Sequence, residues 1–462
     1  MGLLAPEDWR AQWISSSDQP PPSQTEPLVP GPPPPWFRKT FDINKPIKQA
    51  CAYVTALGLF ELYLNGERVG SDVFPPEWTD YNQRIQYLTY DVTAYLQQGD
   101  NAVGAVVGDG WYSGYIGWRK QRGHYGLQNS LLLQLEIEFM DGTRERLVSD
   151  GSWRWKEGPI RSSDLLMGEV YDARKSLSGW DTTGFNDSSW NKTAVVPAPP
   201  GRLVALPTQP VRVTQHLPAL SVSEPEKGVF VFDIGQNVAG WARLKVAGEA
   251  GDTLTLRFAE RLNPDGTIYT QNLRAAKCTD TYILKGGEVE TYEPHFTFHG
   301  FQYVEVTGFP GTPDIGAITG CVVHSDAPFV GDFTCSDPMV NQLFSNLVRS
   351  QRGNYLSVPT DCPQRDERLG WMGDAQIFIR TGSFNQDVAA FFTKWMRDVV
   401  DAQSTQGAFP DFAPRLGDKE LGRFEAAPAW GDAGIIVPWT MYRVYGDIRI
   451  LAESWTAMQK WM

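Results

Sequence analysis

Leu131-Leu-Leu-Gln-Leu-Glu-Ile-Glu-Phe139 runs through Met140 into Asp141-Gly142, and this stretch decides how the first half of the chain is read. From Leu133 onward apolar and polar residues alternate with a period of two. A pleated strand sends successive side chains to opposite faces, so this one buries Leu and Ile and wets Gln and Glu. Asp-Gly is a hairpin dipeptide, because the tight turn between antiparallel strands needs positive φ at its centre. Trp153-Arg-Trp155 is the expected partner strand. Upstream, Leu59-Phe-Glu-Leu-Tyr-Leu-Asn-Gly66 repeats the pattern and ends in Asn-Gly. Short alternating strands closed by Gly, Asn and Asp continue from Trp36 to about residue 215, which predicts a β-sandwich of jelly-roll type over 36–215. Before it, prolines from Pro20 to Pro35 are too dense for a helix or a central strand, so 1–35 is read as an N-terminal segment and Pro-rich linker.

A second Pro-rich passage, Pro197 to Pro210, marks a boundary. Beyond it Val229-Phe-Val-Phe232, Trp241-Ala-Arg-Leu-Lys-Val246, Thr253-Leu-Thr-Leu-Arg-Phe258, Tyr303-Val-Glu-Val306 and Ala317 to Val323 read as strands of a second β-sandwich over 216–328. The character then changes. Ser336-Asp-Pro338 is a helix-start signal, a capping residue followed by proline in the first turn. Val340, Leu343, Phe344, Leu347 and Val348 follow at helical spacing up to Gly353. Helices are also expected over Ala375–Thr381, Val388–Val400, Gly434–Tyr445 and Arg449–Trp461, so 329–462 reads as an all-α unit.

With 54 acidic against 41 basic residues, the 462-residue chain carries a formal charge of −13. Such a surface repels phosphate backbones, which argues against nucleic acid as a partner. A run of about 18 apolar residues is lacking, so no membrane span is expected. The N-terminus lacks a basic region followed by an apolar core, and a cytoplasmic location is expected. Cys51, Cys278, Cys321, Cys335 and Cys362 are odd in number and scattered, without a CxxC pair, which fits a reducing compartment and offers no zinc site. Seventeen Trp, 17 Tyr and 23 Phe suit both β-rich cores and stacking against sugar rings.

Chemistry concentrates in Asp361-Cys-Pro-Gln-Arg-Asp-Glu-Arg-Leu-Gly-Trp-Met-Gly-Asp374. Pro363 and Gly370 break a regular helix, so its four carboxylates and two arginines gather on a bend. Glycoside hydrolysis needs a protonated acid on the leaving oxygen and a second carboxylate on the other face. Glu367 and Asp366 are candidates for the acid, flanked by Asp361 and Asp374. Crowded acids raise one another's pKa while Arg365 and Arg368 oppose them, and the sequence leaves that balance open. An acid–arginine lattice pinning a helix end accounts for the same charges. His295 and His299 flank a strand-like segment where their spacing does not converge, so structural roles are expected. Cys362 has no adjacent His to activate it as a nucleophile.

The run Leu356-Ser-Val-Pro-Thr-Asp-Cys-Pro-Gln-Arg-Asp-Glu-Arg-Leu-Gly-Trp-Met-Gly-Asp-Ala-Gln376 resembles the signature of bacterial-type α-L-rhamnosidases, glycoside hydrolase family 78. Phe232-Asp-Ile-Gly-Gln-Asn-Val-Ala-Gly-Trp241, Asn272-Leu-Arg-Ala-Ala-Lys277 and Phe296-Thr-Phe-His-Gly-Phe-Gln-Tyr-Val-Glu-Val306 are similar to that family's middle β-domain. Gly108-Asp-Gly-Trp-Tyr112 and Gly168-Glu-Val-Tyr-Asp-Ala-Arg174 are similar to its N-terminal domain. The resemblance implies two N-terminal β-sandwiches followed by the first part of an (α/α)6 barrel. It also implies inverting hydrolysis of terminal α-L-rhamnosyl groups in glycosides or polysaccharides. Carried over by position, Glu367 is the general acid; Asp361, Arg365, Asp366 and Asp374 hold or tune around the sugar, and Trp371 packs against its ring. Trp430 resembles a second pocket-wall indole, for which a core role is an equal alternative.

No cofactor is implied at the catalytic motif. Some relatives carry an accessory rhamnose-binding domain, so Asp109, Trp111 and Glu169 are weighed as a sugar or calcium site against plain turn and core roles. The chain departs from the family pattern after residue 330, where 132 residues remain, enough for about five helices of average length. The family's general base lies further on, so a truncated chain with impaired hydrolysis is expected. Glu420 and Glu425 do not match the base by motif. The alternative is a non-catalytic rhamnose-binding or structural fragment. An incomplete barrel is also expected to bare apolar helix faces such as Phe391–Trp395.

Overall fold

The computed structural model describes residues 2–18, 28–417 and 424–462. Two sheets of seven and six strands form the first unit. Ser130–Phe139 is a strand, and Leu131, Leu133, Leu135, Ile137 and Phe139 all enter its core beside Phe37, Phe60 and Trp153. The outward Glu138 faces Arg144 at 2.8 Å across the Asp141-Gly142 turn, and Glu136 pairs with Arg146. These cross-strand pairs identify the true partner strand, Arg144–Val148. The assignment of Trp153–Trp155 to that role is therefore corrected. The turn is short enough for the chain to return at once, and Arg154–Glu157 pairs instead with Pro35–Ile43 in the opposite sheet.

Residues before the proline-rich stretch belong to this sandwich. Ile14–Ser15 adds a short strand against Leu131 and Val195. Gln134, buried on the outer face of its strand, accepts from the Arg10 N–H at 2.7 Å. Of Pro20–Pro35, positions 20–27 lie outside the described residues. Just beyond them, the Val29 carbonyl accepts from the Tyr115 hydroxyl at 3.1 Å.

The second unit is one connected ten-stranded sheet. Its axis is Val229–Val246, a single strand where two were expected, irregular between Asp233 and Val238. It pairs with His299–Thr307 along its first part and with Ile318–Ser325 along its second. The sheet curls over Phe232, Leu244, Leu256, Phe258 and Val304, so layering expected from two sheets is produced by one. Ile160–Asp164 and Gly168–Asp172, which precede residue 215, also lie in this sheet, the latter parallel to Thr279–Ile283.

Among the described residues five long helices follow: α1 (Pro338–Asn354), α2 (Met372–Asn385), α3 (Ala389–Asp401), α4 (Ala433–Tyr445) and α5 (Ile448–Trp461). Asp337 caps α1 by accepting from the Met339 N–H at 2.8 Å, with Pro338 in the first turn. The expected exposure of Phe391–Trp395 is corrected. Phe391, Phe392, Trp395 and Met396 are all buried, because α3 turns this face onto Tyr355 and the extended chain beneath it. The bared apolar residues are elsewhere: Met339 and Leu343 on α1, Ile377 and Phe384 on α2, Trp439 on α4 and Trp455 on α5.

The helices are keyed to the first unit through a buried charged group. Lys394 of α3 donates to the carbonyls of Trp78 and Ser357 and lies 2.9 Å from Asp398. Glu77 sits beside it, 1% exposed. Nearby, Arg84 donates to both oxygens of Asp401 at 2.9 and 3.1 Å.

Candidate active site

Residues 361–371 form an irregular bend leading into α2, as the placement of Pro363 and Gly370 predicts. Gly370 is required by close approach: a Cβ there would lie 2.1 Å from the Ala413 carbonyl oxygen. The bend is held from below by Arg368, 3% exposed, in a left-handed conformation at φ 60°. Its guanidinium donates to the Leu165 and Phe298 carbonyls at 2.8 and 2.7 Å and lies over the Phe298 ring. Leu165 sits in the turn between Ile160–Asp164 and Gly168–Asp172, so Arg368 staples the motif to the ten-stranded sheet of the second unit.

Glu367 is the point where the three units meet. Its main-chain carbonyl accepts from the Gly117 N–H of the first unit at 3.2 Å. Its Oε2 accepts from Arg274 of the second unit at 2.8 Å and faces Arg365 at 2.9 Å. Its Oε1 accepts from the Trp371 indole N–H at 2.9 Å. Asp366, 3% exposed, takes the other half of the Arg274 fork at 2.6 Å and the Ala275 N–H at 3.2 Å. Asp361 accepts from the Leu369 N–H at 3.0 Å and from Arg365 at 3.3 Å.

Burial pushes the Asp361 carboxyl above its ordinary value, and the neighbouring charge of Glu367 adds to the shift. Asp374, in the first turn of α2, is raised for the same two reasons. Trp371 stacks against Trp118 of the first unit, with centroids 6.0 Å apart and planes 10° from parallel. Phe412 and Phe424 meet it edge-on.

Beside this cluster lies a cleft of about 620 Å³ between α1, α2 and the short helix Pro428–Gly431, with Asp361, Asp374, Thr360, Tyr355 and Trp430 on its walls. That volume suits a small sugar. Gly373 makes room for the Trp430 indole, since a Cβ there would lie 2.9 Å from Nε1. The structure therefore brings Asp361, Arg365, Asp366, Glu367 and Trp371 into one connected network, with Asp374 and Trp430 on the adjoining wall.

Arg274, Gly117 and Trp118 were not singled out as site residues in the sequence. Arg274 falls inside Asn272–Lys277, a stretch noted only for its likeness to a β-domain. Trp118 closes an aromatic loop just after Gly108–Tyr112. Their position in loops of a scaffold was the available signal; the distance to residue 367 along the chain hid it.

The other candidates have settled partners. Asp109 is buried against Arg122, Ser113 and Asn129, and Trp111 lies in the core. Glu169 accepts from Tyr292 and from the His295 N–H at 3.2 and 3.0 Å. Turn and core contacts account for all three residues. Among the described residues, no group of three or more His, Cys, Asp and Glu has metal-binding spacing. His295 pairs with Glu169 and His299 with Asp280, on separate carboxylates. Cys362 is buried and its thiol is pushed up to about 12 by that burial, which makes a poor nucleophile. Glu420 lies outside the described residues. Among the described residues no helix is long and apolar enough to cross a membrane.

Family models match the chain in three successive pieces. The α-L-rhamnosidase N-terminal domain matches residues 45–215, the bacterial α-L-rhamnosidase concanavalin-like domain 223–324, and the bacterial α-L-rhamnosidase 6 hairpin glycosidase domain 328–462. β-units leading into a six-hairpin glycosidase domain define the class, a multidomain glycosidase-type chain. A curated α-L-rhamnosidase of Streptomyces avermitilis is 52% identical over 422 residues, which is 91% of this chain and 40% of that protein. The crystal structure of the Streptomyces avermitilis α-L-rhamnosidase complexed with L-rhamnose matches with TM-score 0.91 and 50% identity, over 93% of this chain and 42% of that one. The α-L-rhamnosidase from Dictyoglumus thermophilum matches with TM-score 0.93 and 38% identity, over all of this chain and 52% of that one. The chain belongs to the bacterial α-L-rhamnosidase family, glycoside hydrolase family 78. It spans about half the length of the relatives it matches.

Proposed function

We propose that this chain carries the acid half of an α-L-rhamnosidase active site, acting on terminal α-L-rhamnosyl groups of glycosides or polysaccharides. The observation that supports this reading best is the convergence on Glu367 of donors from all three units, beside a cleft whose lining includes Asp361 and Asp374. In this reading α1 to α5 are the first part of an (α/α)6 barrel and 216–328 is the β-domain that leads into it.

Glu367 protonates the glycosidic oxygen, so that the leaving group departs as an alcohol while positive charge builds at the sugar's anomeric carbon. Asp361 and Asp374 accept hydrogen bonds from rhamnose hydroxyls. Arg365 bridges Asp361 and Glu367 and donates to the sugar from its free face. Trp371, braced by Trp118, offers an apolar surface to the ring and its methyl group, and Trp430 closes the opposite wall. Inversion requires a water activated by a second carboxylate about 6.5–9.5 Å from the acid. The acidic bend supplies the acid in this reading, and no carboxylate among the described residues is assigned the second role. Free thiols at all five cysteines suit a cytoplasmic setting.

The test is nitrophenol release from an aryl α-L-rhamnoside by the chain and its Glu367→Gln variant, with calorimetry of L-rhamnose binding to both. Turnover abolished in the variant, with binding kept, supports Glu367 as the acid. Turnover equal in both overturns it. A second reading, rhamnose binding without catalysis, is favoured by the cleft, which Asp361, Asp374 and Trp430 line without an assigned base; binding with no turnover in either protein would select it.

A further inference from the structure

Arg274 stands outside the acidic motif and comes from another unit, yet its guanidinium grips two consecutive carboxylates of the bend. Nε donates to Asp366 at 2.6 Å and Nη2 to Glu367 at 2.8 Å. It follows the short turn Gln271–Leu273 with φ 56° and ψ −111°, a backbone conformation that residues bearing a side chain rarely adopt. The same loop is latched twice more. The Ala275 N–H donates to Asp366 at 3.2 Å, and the Cys278 thiol, at φ 44°, donates to the Gln364 carbonyl at 3.1 Å. Strained residues at both ends of a loop that closes on one carboxylate pair point to a positioning role.

The charges facing Glu367 are Arg274 and Arg365 on one side and Asp366, Asp361 and Asp374 on the other. With Arg274 removed, three acids face Glu367 and one arginine remains. Asp366, itself buried, keeps only the Ala275 N–H among the partners described above. A planar fork can serve two carboxylates at once, whereas a lysine is a single point charge.

We propose that Arg274 is the positioning residue for Glu367, through which the second β-unit fixes the orientation of that carboxylate against the Trp371 indole. Glu367's part in catalysis rests on the function proposed above; the coupling between Arg274 and Glu367 does not. The experiment is therefore independent of turnover. The full chain is labelled with ¹⁵N at its tryptophan indoles, and the Trp371 N–H signal, identified by its loss in Trp371→Phe, is compared in wild type, Arg274→Ala and Arg274→Lys, because that N–H donates to Glu367. The expected result is loss of the hydrogen-bonded signal in Arg274→Ala, which moves toward that of a free indole, with less than half of the change reversed in Arg274→Lys. If Arg274→Ala does not fold, Arg274→Gln provides the same comparison. An unchanged Trp371 signal in the folded variant overturns the proposal, and full reversal by lysine overturns the bridging geometry. Retained turnover in Glu367→Gln would sink the catalytic assignment while leaving this comparison interpretable.

Discussion

Replacing Glu77 by Gln should stabilise the protein at mildly alkaline pH and leave it almost unchanged under acid conditions. Glu77 is 1% exposed, at the seam where Lys394 of α3 enters the first unit. Burial pushes its carboxyl from 4.5 to about 7, against the opposing pull of Lys394, Ser357 and the Val211 N–H. Lys394 compensates only in part, since it also serves Asp398 at 2.9 Å. Between those two values the folded protein holds a proton that the unfolded chain has released. Stability contributed by this group therefore falls as pH rises through that window and levels off above it. The gap corresponds to about 3 kcal/mol. Gln cannot ionise and still offers an oxygen to the Val211 N–H, so the variant escapes the penalty. Urea unfolding followed by Trp fluorescence at about pH 4.5 and about pH 8 should give a difference near zero at the first and up to about 3 kcal/mol in favour of Gln at the second. Subtracting wild type cancels groups common to both proteins. These include His299, which burial alone would lower but Asp280 raises to about 9; its contribution is present below 6.5 and lost as pH rises through about 9. Equal destabilisation of the variant at both pH values would refute the reasoning, because it would mean that Glu77 is ionised throughout and needed by Lys394.

Arg368→Ala strands the buried Leu165 and Phe298 carbonyls and should cost about 3 kcal/mol or more in urea unfolding; a loss under about 1 kcal/mol would show that the staple is dispensable. Trp118→Ala removes the parallel neighbour of Trp371 and should weaken L-rhamnose binding about fivefold in calorimetry, whereas unchanged affinity in a folded variant would mean that Trp371 stands without it. Met339, Leu343, Trp439 and Trp455 are all at least half exposed, so the chain on its own should self-associate in light scattering, and Leu343→Lys should reduce it. A monodisperse species at the 51.6 kDa chain mass would contradict that expectation.

Local order was written plainly in the chain. The alternation in Leu131–Phe139 and the cap at Asp337 each specify an element through contacts a few residues apart, so backbone geometry and side-chain period suffice to read them. The acidic bend was legible for a related reason: Pro363 and Gly370 forbid a helix exactly where charge accumulates, which leaves the carboxylates gathered rather than spread. Other features depended on what came to lie alongside. Trp153–Trp155 has the pattern of a strand, but a strand pattern does not name its partner, and the ladder with Pro35–Ile43 was settled by how two sheets close over one core. Phe391–Trp395 looks exposed for want of barrel neighbours, yet packing against Tyr355 buries it. The sequence by itself determined most of the helices and many of the strands, the motif and the family. Tertiary structure alone decided that Glu367 is held by Gly117 and Arg274 from two other units, because those donors lie far away in the chain and only folding brings them within hydrogen-bond distance of one carboxylate.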